Sequence, residues 1–236
     1  MSLGWVVSEE PFWKEGSSIY TKLRLSYGQN GNQGIGRYSS FAQMGTEYYV
    51  YDSNTSISLF PNRIGNPSLR WEKTSSVNLG VDFGFWNNRL AGSVDGYLAK
   101  TSDVLVKRKL PGSAGYADIW SNIGALDNKG LDIELRSENI RTTDLNWKTN
   151  VVFSINRNKI SKLYGGENDV DVGNEWFVGE PISALYDYEM LGGLWTEDDL
   201  YAGRTYTGWY PGQYKYADLN GDNRIDPQND RKIVGY

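Results

Sequence analysis

Cysteine and histidine are both absent from the 236-residue chain. Without them there is no disulfide framework, no Ser-His-Asp or Cys-His nucleophile, and no zinc site built on nitrogen and sulfur ligands. Most familiar enzyme chemistries leave with those residues, and the sequence offers no candidate catalytic residue. Long apolar runs are missing as well. Mean hydropathy is −0.56, and no stretch approaches the roughly 18 uninterrupted apolar residues that mark a membrane-crossing helix. That absence leaves membrane proteins in play, because a spanning strand needs only about 9–11 residues with alternate ones apolar. Positive charge is the scarcer sign: 24 Lys and Arg face 29 Asp and Glu, for a formal net charge of −5. The longest basic run is Lys107-Arg108-Lys109, so nucleic acid is not the expected partner. The opening Met1-Ser2-Leu3-Gly4-Trp5 has neither the basic start nor the apolar stretch of a signal peptide. The chain stops on the apolar Ile233-Val234-Gly235-Tyr236. Both ends predict a piece of a longer protein.

What is abundant points to β-structure. Aromatics reach 14%, led by 17 Tyr and 9 Trp, and 27 Gly outnumber 7 Pro. Such amphipathic rings suit strands and either a membrane boundary or a sugar-binding surface. From Leu145 to Ile155, Leu145, Trp147, Thr149, Val151, Phe153 and Ile155 alternate with Asn146, Lys148, Asn150, Val152 and Ser154. A period of two over that length predicts a strand with one apolar and one wet face. Val77-Leu79-Val81-Phe83-Phe85, Leu90 to Leu98, Leu131 to Arg136 and Lys22 to Tyr27 repeat the pattern. Two connections are short, Trp86–Arg89 and Asn139–Asp144; the others, Gly28 to Lys73, Lys107 to Asn122 and Asn156 onward, are long. Alternating short turns and long loops, with Trp86 and Trp147 at strand ends, fit an outer-membrane barrel. A soluble antiparallel sandwich carries the same alternation, and the pattern by itself leaves both open.

A series of phrases then resembles the SusC/RagA family of TonB-linked transporters. In order they are Gly4-Trp5-Val6-Val7-Ser8-Glu9-Glu10, Leu25-Ser26-Tyr27-Gly28-Gln29-Asn30-Gly31-Asn32-Gln33, Asn66-Pro67-Ser68-Leu69-Arg70-Trp71-Glu72-Lys73-Thr74 and Val81-Asp82-Phe83-Gly84-Phe85-Trp86-Asn87-Asn88-Arg89-Leu90. Asn122-Ile123-Gly124, Asn128-Lys129-Gly130, Asn156-Arg157-Asn158-Lys159-Ile160, Gly179-Glu180-Pro181-Ile182 and Asp218-Leu219-Asn220-Gly221-Asp222 follow. The resemblance implies an all-β fold, with antiparallel strands forming part of a large transmembrane β-barrel that bears long extracellular loops. Residues 1–236 are then a partial barrel, and 158–236 mostly one long extracellular loop region. It further implies the bacterial outer membrane, uptake of oligosaccharides or peptides, a SusD-like surface lipoprotein as lid, and TonB engaged through an N-terminal part not in this sequence. The alternative is a secreted carbohydrate-binding β-sandwich with a structural calcium.

One segment carries chemistry of its own. Asp218-Leu219-Asn220-Gly221-Asp222-Asn223-Arg224-Ile225-Asp226 matches the first nine positions of a calcium loop. Asp218, Asn220, Asp222 and Asp226 offer side-chain oxygens, and Arg224 its backbone carbonyl, to a structural Ca2+. Two positions depart from the pattern: Asn223 stands where glycine is usual, and Asn229 where glutamate closes the loop, with Asp230 one residue late. A metal-free turn held by side-chain to backbone bonds is the competing expectation. The aromatics Trp176, Phe177, Trp195, Tyr206, Trp209, Tyr210, Tyr214 and Tyr216 read better as a small aromatic core than as a stacking surface. Glu197-Asp198-Asp199 reads as a solvated acidic run rather than a glycosidase pair.

Overall fold

The structure is a computed structural model that describes residues 1–13, 18–52, 54–164, 169–203 and 205–236. It divides into two compact units, Met1–Glu180 and Pro181–Tyr236. The first unit contains β1 (Ser2–Val6), β2 (Ile19–Asn32), β3 (Gln43–Tyr51), β4 (Asn54–Arg63), β5 (Glu72–Phe85), β6 (Leu90–Ser102), β7 (Leu105–Lys109), β8 (Asp118–Asn122), β9 (Ala125–Arg141), β10 (Asn146–Lys162), β11 (Val170–Asp171) and β12 (Trp176–Phe177). Its main sheet has six strands in the order β1-β2-β5-β6-β9-β10, and every neighbour is antiparallel.

Neighbours in the sheet follow one another along the chain, with the hairpins β3–β4 and β7–β8 set into the long connections. The connections at residues 86–89 and 142–145 therefore share one end of the sheet with residues 7–13, and residues 33–71 and 103–124 lie, where described, at the other. At the 86–89 turn Trp86, Asn87 and Asn88 all take left-handed backbone (φ 52, 54 and 62°). Asparagine tolerates that region through its short polar side chain. The second turn falls later than alternation predicts. β9 runs on to Arg141, and the reversal is closed by Thr142, whose Oγ1 accepts from the Leu145 N–H at 3.0 Å. β10 likewise extends past Asn156 to Lys162. Each strand continues beyond its alternating stretch because ladder bonds there join polar residues as well.

The packed part of the first unit lies at the long-connection end, where Ile123, Ile160 and Leu163 are buried. Asn122 explains why motifs far apart in sequence occur together. Its Oδ1 accepts the Arg70 N–H at 2.7 Å while its Nδ2 donates to the carbonyls of Arg70 and Asp103, both at 2.8 Å. Asn66 Nδ2 donates to the Trp120 carbonyl at 2.8 Å. Two side-chain amides thus replace missing ladder partners and pin the Asn66–Trp71 phrase to β8. The phrase at Gly179-Glu180 exchanges backbone bonds with Ile160, at 2.8 Å in each direction.

The second unit contains β13 (Leu185–Tyr188), β14 (Met190–Leu194), α1 (Glu197–Tyr201), β15 (Tyr214–Tyr216) and β16 (Arg231–Gly235), paired as β13–β16 and β14–β15. The aromatic mini-core forms here. Trp195 is buried edge-on to Tyr206 at 5.2 Å, and the Tyr216 ring meets those of Tyr188 and Trp209 at 5.5 and 5.6 Å. Tyr210 and Tyr214 stay exposed. Trp176 and Phe177 belong to the first unit, in β12 against β11.

Candidate functional site

The six-stranded sheet has two chemically opposed faces, and the register shows how regular they are. Leu3, Leu25, Leu79, Gly96, Leu131 and Ile155 stand opposite one another across all six strands. Two residues along each strand, Trp5, Leu23, Val81, Val94, Ile133 and Phe153 form the next row. Thr21, Phe83, Gly92, Leu135 and Val151 form another. The apolar stretch of β5 runs from Val77 to Phe85, close to the roughly 9–11 residues a tilted spanning strand requires. Nothing within the described residues of the first unit covers this face. Leu79, Val151 and Phe153 are 57%, 52% and 53% exposed, an arrangement a soluble sheet avoids. Aromatics mark its borders: Trp5, Trp86 and Trp147 toward the short turns, and Tyr27 and Trp71 toward the long connections, all at least partly exposed.

The opposite face is polar and carries a charge network that strand alternation alone did not disclose. Arg24 on β2 donates from Nε and Nη2 to Asp82 on β5, at 2.9 and 2.8 Å, and from Nη2 to Asp95 on β6 at 2.8 Å. Gly80 makes room for this. A Cβ there would come within 2.5 Å of Asp95 Oδ1 and 2.8 Å of the Arg24 guanidinium carbon. Further along the face Arg136 pairs with Glu134, and Ser154 donates to Asp132. The Oδ1 atoms of Asn78 and Asp95 are buried without a hydrogen bond among the described residues, so this wall keeps polar demand for water or another chain segment. The signal was legible in Lys22-Leu23-Arg24 and in Asp82 and Asp95 on the wet faces of their strands; what the sequence withheld was the register that brings them together.

The acidic loop of the second unit is drawn tight by its own backbone. Asp218 accepts the N–H groups of Gly221 and Asn223, both at 2.7 Å, and Asn220 and Asp222 accept those of Asp222 and Arg224 at 3.0 and 2.9 Å. Gly221 and Asn223 take the left-handed backbone (φ 74 and 64°) that this curl demands. Asp226 accepts from Gln228 and Asn229, and the Asn229 amide leads in holding its carboxyl below the usual range. Asp230 is fully buried and receives the Leu219 and Asp226 N–H groups at 2.9 and 2.8 Å. The predicted side-chain ligands therefore share one loop, Arg224 lies within it, and Asp230 clamps its two ends. Among the described residues no group of three or more acidic side chains forms a metal-holding cluster. The acidic run at residues 197–199 is structural at Asp199. Its carboxylate completes the capping box with Thr196 and pairs with Lys215 at 2.9 Å. Lys215 and then Thr196 bring its pKa down to about 2.

No helix among the described residues is long and apolar enough to cross a membrane, which says nothing of crossing by strands. A family described as TonB dependent receptor-like, beta-barrel, matches residues 3–236. The chain belongs to the TonB-dependent receptor β-barrel family. Among relatives in that family, TonB-dependent receptor P3 of Formosa agariphila is 34% identical over 99% of this chain and 24% of its own length. TonB-dependent receptor SusC of Bacteroides thetaiotaomicron is 37% identical over 71% of this chain and 17% of its own. Among solved structures, the RagAB peptide importer in its closed-closed state superposes with a TM-score of 0.74 at 26% identity, covering 99% of this chain and 25% of that one. The chain thus spans about a quarter, or less, of the proteins it matches. The all-β, SusC/RagA-like reading holds along nearly the whole chain.

Proposed function

We propose that the chain forms part of the wall of an outer-membrane transporter that takes up oligosaccharides or peptides, and that it catalyses no reaction. The observation that carries this is the continuous set of apolar rows across six antiparallel strands, backed by a charged polar face. Such a wall fits lipid on one side and an aqueous or plugged lumen on the other. RagAB is a peptide importer, and likeness to it favours the same kind of cargo pathway, with a SusD-like lipoprotein as the lid and TonB supplying the drive through the rest of the protein. In this arrangement the short turns face the periplasm and the long connections face outward. Single cysteines at Asn88 and Ser113 of the full-length protein test it. A membrane-impermeant maleimide should label Ser113→Cys in intact cells, and Asn88→Cys only after the outer membrane is opened. The reverse pattern would overturn the orientation.

The acidic loop adds a proposed structural Ca2+ held by Asp218, Asn220, Asp222 and Asp226, with the Arg224 carbonyl. Each Asp218 oxygen accepts one backbone N–H, which leaves lone pairs free for a cation. All-oxygen donors suit calcium better than zinc. Calcium titrated calorimetrically into chelator-treated full-length protein should release heat that Asp218→Ala and Asp222→Ala abolish. Equal heats in all three would leave a turn held by its own amides.

A further inference from the structure

On the apolar face, directly above its rows, lies a set of cations that the transport reading does not use. Leu98 stands opposite Lys129, and Lys129 opposite Arg157. Two residues nearer the long connections, Lys100 stands opposite Asp127, and Asp127 opposite Lys159. Strand alternation puts all of these side chains on the face of Leu79, Leu131 and Ile155. Lys100, Lys129, Arg157 and Lys159 are exposed, and none forms an ion pair among the described residues. Asp127 is the lone carboxylate between them. Four cations around one carboxylate leave an excess of positive charge, and they repel one another unless a further anion sits among them.

Below them the wall is hollowed. Gly96 occupies the place of a side chain in the row of Leu79 and Leu131, and a Cβ there would meet nothing within 4 Å. The furrow has a volume of about 450 Å³ and is bordered by Val77, Leu79, Leu98, Leu131 and Ile155, with Lys129 and Arg157 at its upper end. A second hollow of about 330 Å³ continues it among Lys100, Asp127, Lys129, Arg157 and Lys159. Among the described residues of these rows the cations gather at one border. At the short-turn end the last described row of the same face, Phe85, Leu90, Ser137 and Thr149, holds no cation.

We propose that this patch is a binding site for a phosphorylated glycolipid of the outer leaflet, whose acyl chain lies in the furrow over Gly96 and whose phosphate rests among Lys100, Lys129, Arg157 and Lys159. Charge complementarity and continuity with the lipid-facing rows select this occupant. A soluble phosphate compound would leave the furrow empty, and an uncharged lipid would leave the cations unpaired. The site rests on the proposed outer-membrane orientation, in which the long-connection end faces outward.

The test uses the full-length transporter in a neutral detergent, with phosphorylated lipid A and its enzymatically dephosphorylated form as probes. The wild type should prefer the phosphorylated form. The variant combining Lys100→Gln, Lys129→Gln, Arg157→Gln and Lys159→Gln should bind it at least about tenfold more weakly, while Lys107→Gln with Arg108→Gln should not. Gly96→Leu, which fills the furrow and keeps the charges, should also weaken binding. Millimolar inorganic phosphate should not compete. Equal affinity for the two lipid forms, wild-type binding by the fourfold variant or by Gly96→Leu, or displacement by free phosphate each overturns the proposal. Outer-membrane fractionation and heat-modifiable migration are followed in parallel. Their failure in the wild type counts against the barrel reading itself, whereas unchanged lipid binding by a correctly placed barrel counts against the lipid site alone.

Discussion

Phe153→Arg should destabilise the full-length protein by about 2–4 kcal/mol, whereas Asn150→Arg should cost less than about 1 kcal/mol. The two positions lie on the same strand, β10, separated by Val151 and Val152, and point to opposite faces. Phe153 stands in the row of Leu23, Val81, Val94 and Ile133, and Asn150 stands opposite Arg136 on the polar face. In lipid an arginine at Phe153 must carry its charge into hydrocarbon or drag water with it. At Asn150 the new guanidinium would lie near Glu134, which already pairs with Arg136. Urea unfolding of protein refolded into phospholipid vesicles measures both changes. Equal costs would point to a sheet buried on both sides by protein and would revive the sandwich.

Asp230→Ala should loosen the acidic loop by about 2–4 kcal/mol, because it removes a buried acceptor from two backbone N–H groups at once. Those groups belong to Leu219 and Asp226, and Asp230 itself is fully buried. Hydrogen exchange of the full-length protein should speed up by roughly 30-fold or more in the peptide that contains residues 218–230. Asp230→Asn should fall between wild type and alanine, since one of its polar atoms would turn a donor toward a donor. Because Asp230 clamps the loop through amides, the effect should appear with and without calcium. A loss of protection confined to calcium-free protein would instead make the metal the principal support.

Much of the fold was legible because its strongest signal is local. In Leu145 to Ile155, alternation reports which side chains leave each face, whatever strand lies beside it. The short connections at 86–89 and near 139–144 and the long ones elsewhere likewise showed in the spacing of those stretches, though the second turn fell at 142–145. Strand ends were harder to read. β9 and β10 reach Arg141 and Lys162 through ladder bonds between polar residues, and backbone pairing leaves no trace in side-chain hydropathy. The small hairpin strands β3, β4, β7 and β8 escaped for the same reason. Inside the long connections, polar and aromatic residues mix without a clear period.

The sequence by itself determined the class: an antiparallel all-β wall with one apolar and one wet face, reversing by short turns at one end and long excursions at the other, in the manner of SusC/RagA-type proteins. It also marked the acidic loop, whose oxygen-bearing side chains follow a strict spacing. Only the tertiary structure decided which residues meet. Arg24 reaches Asp82 and Asp95 from another strand; Asn122 joins Arg70 to the far hairpin; Lys100, Lys129, Arg157 and Lys159 gather beside the gap at Gly96. The physical reason is register. A side chain's face is set by its own strand, but its neighbours are set by how strands separated by tens of residues slide into alignment, and that alignment is fixed by all the paired rows together.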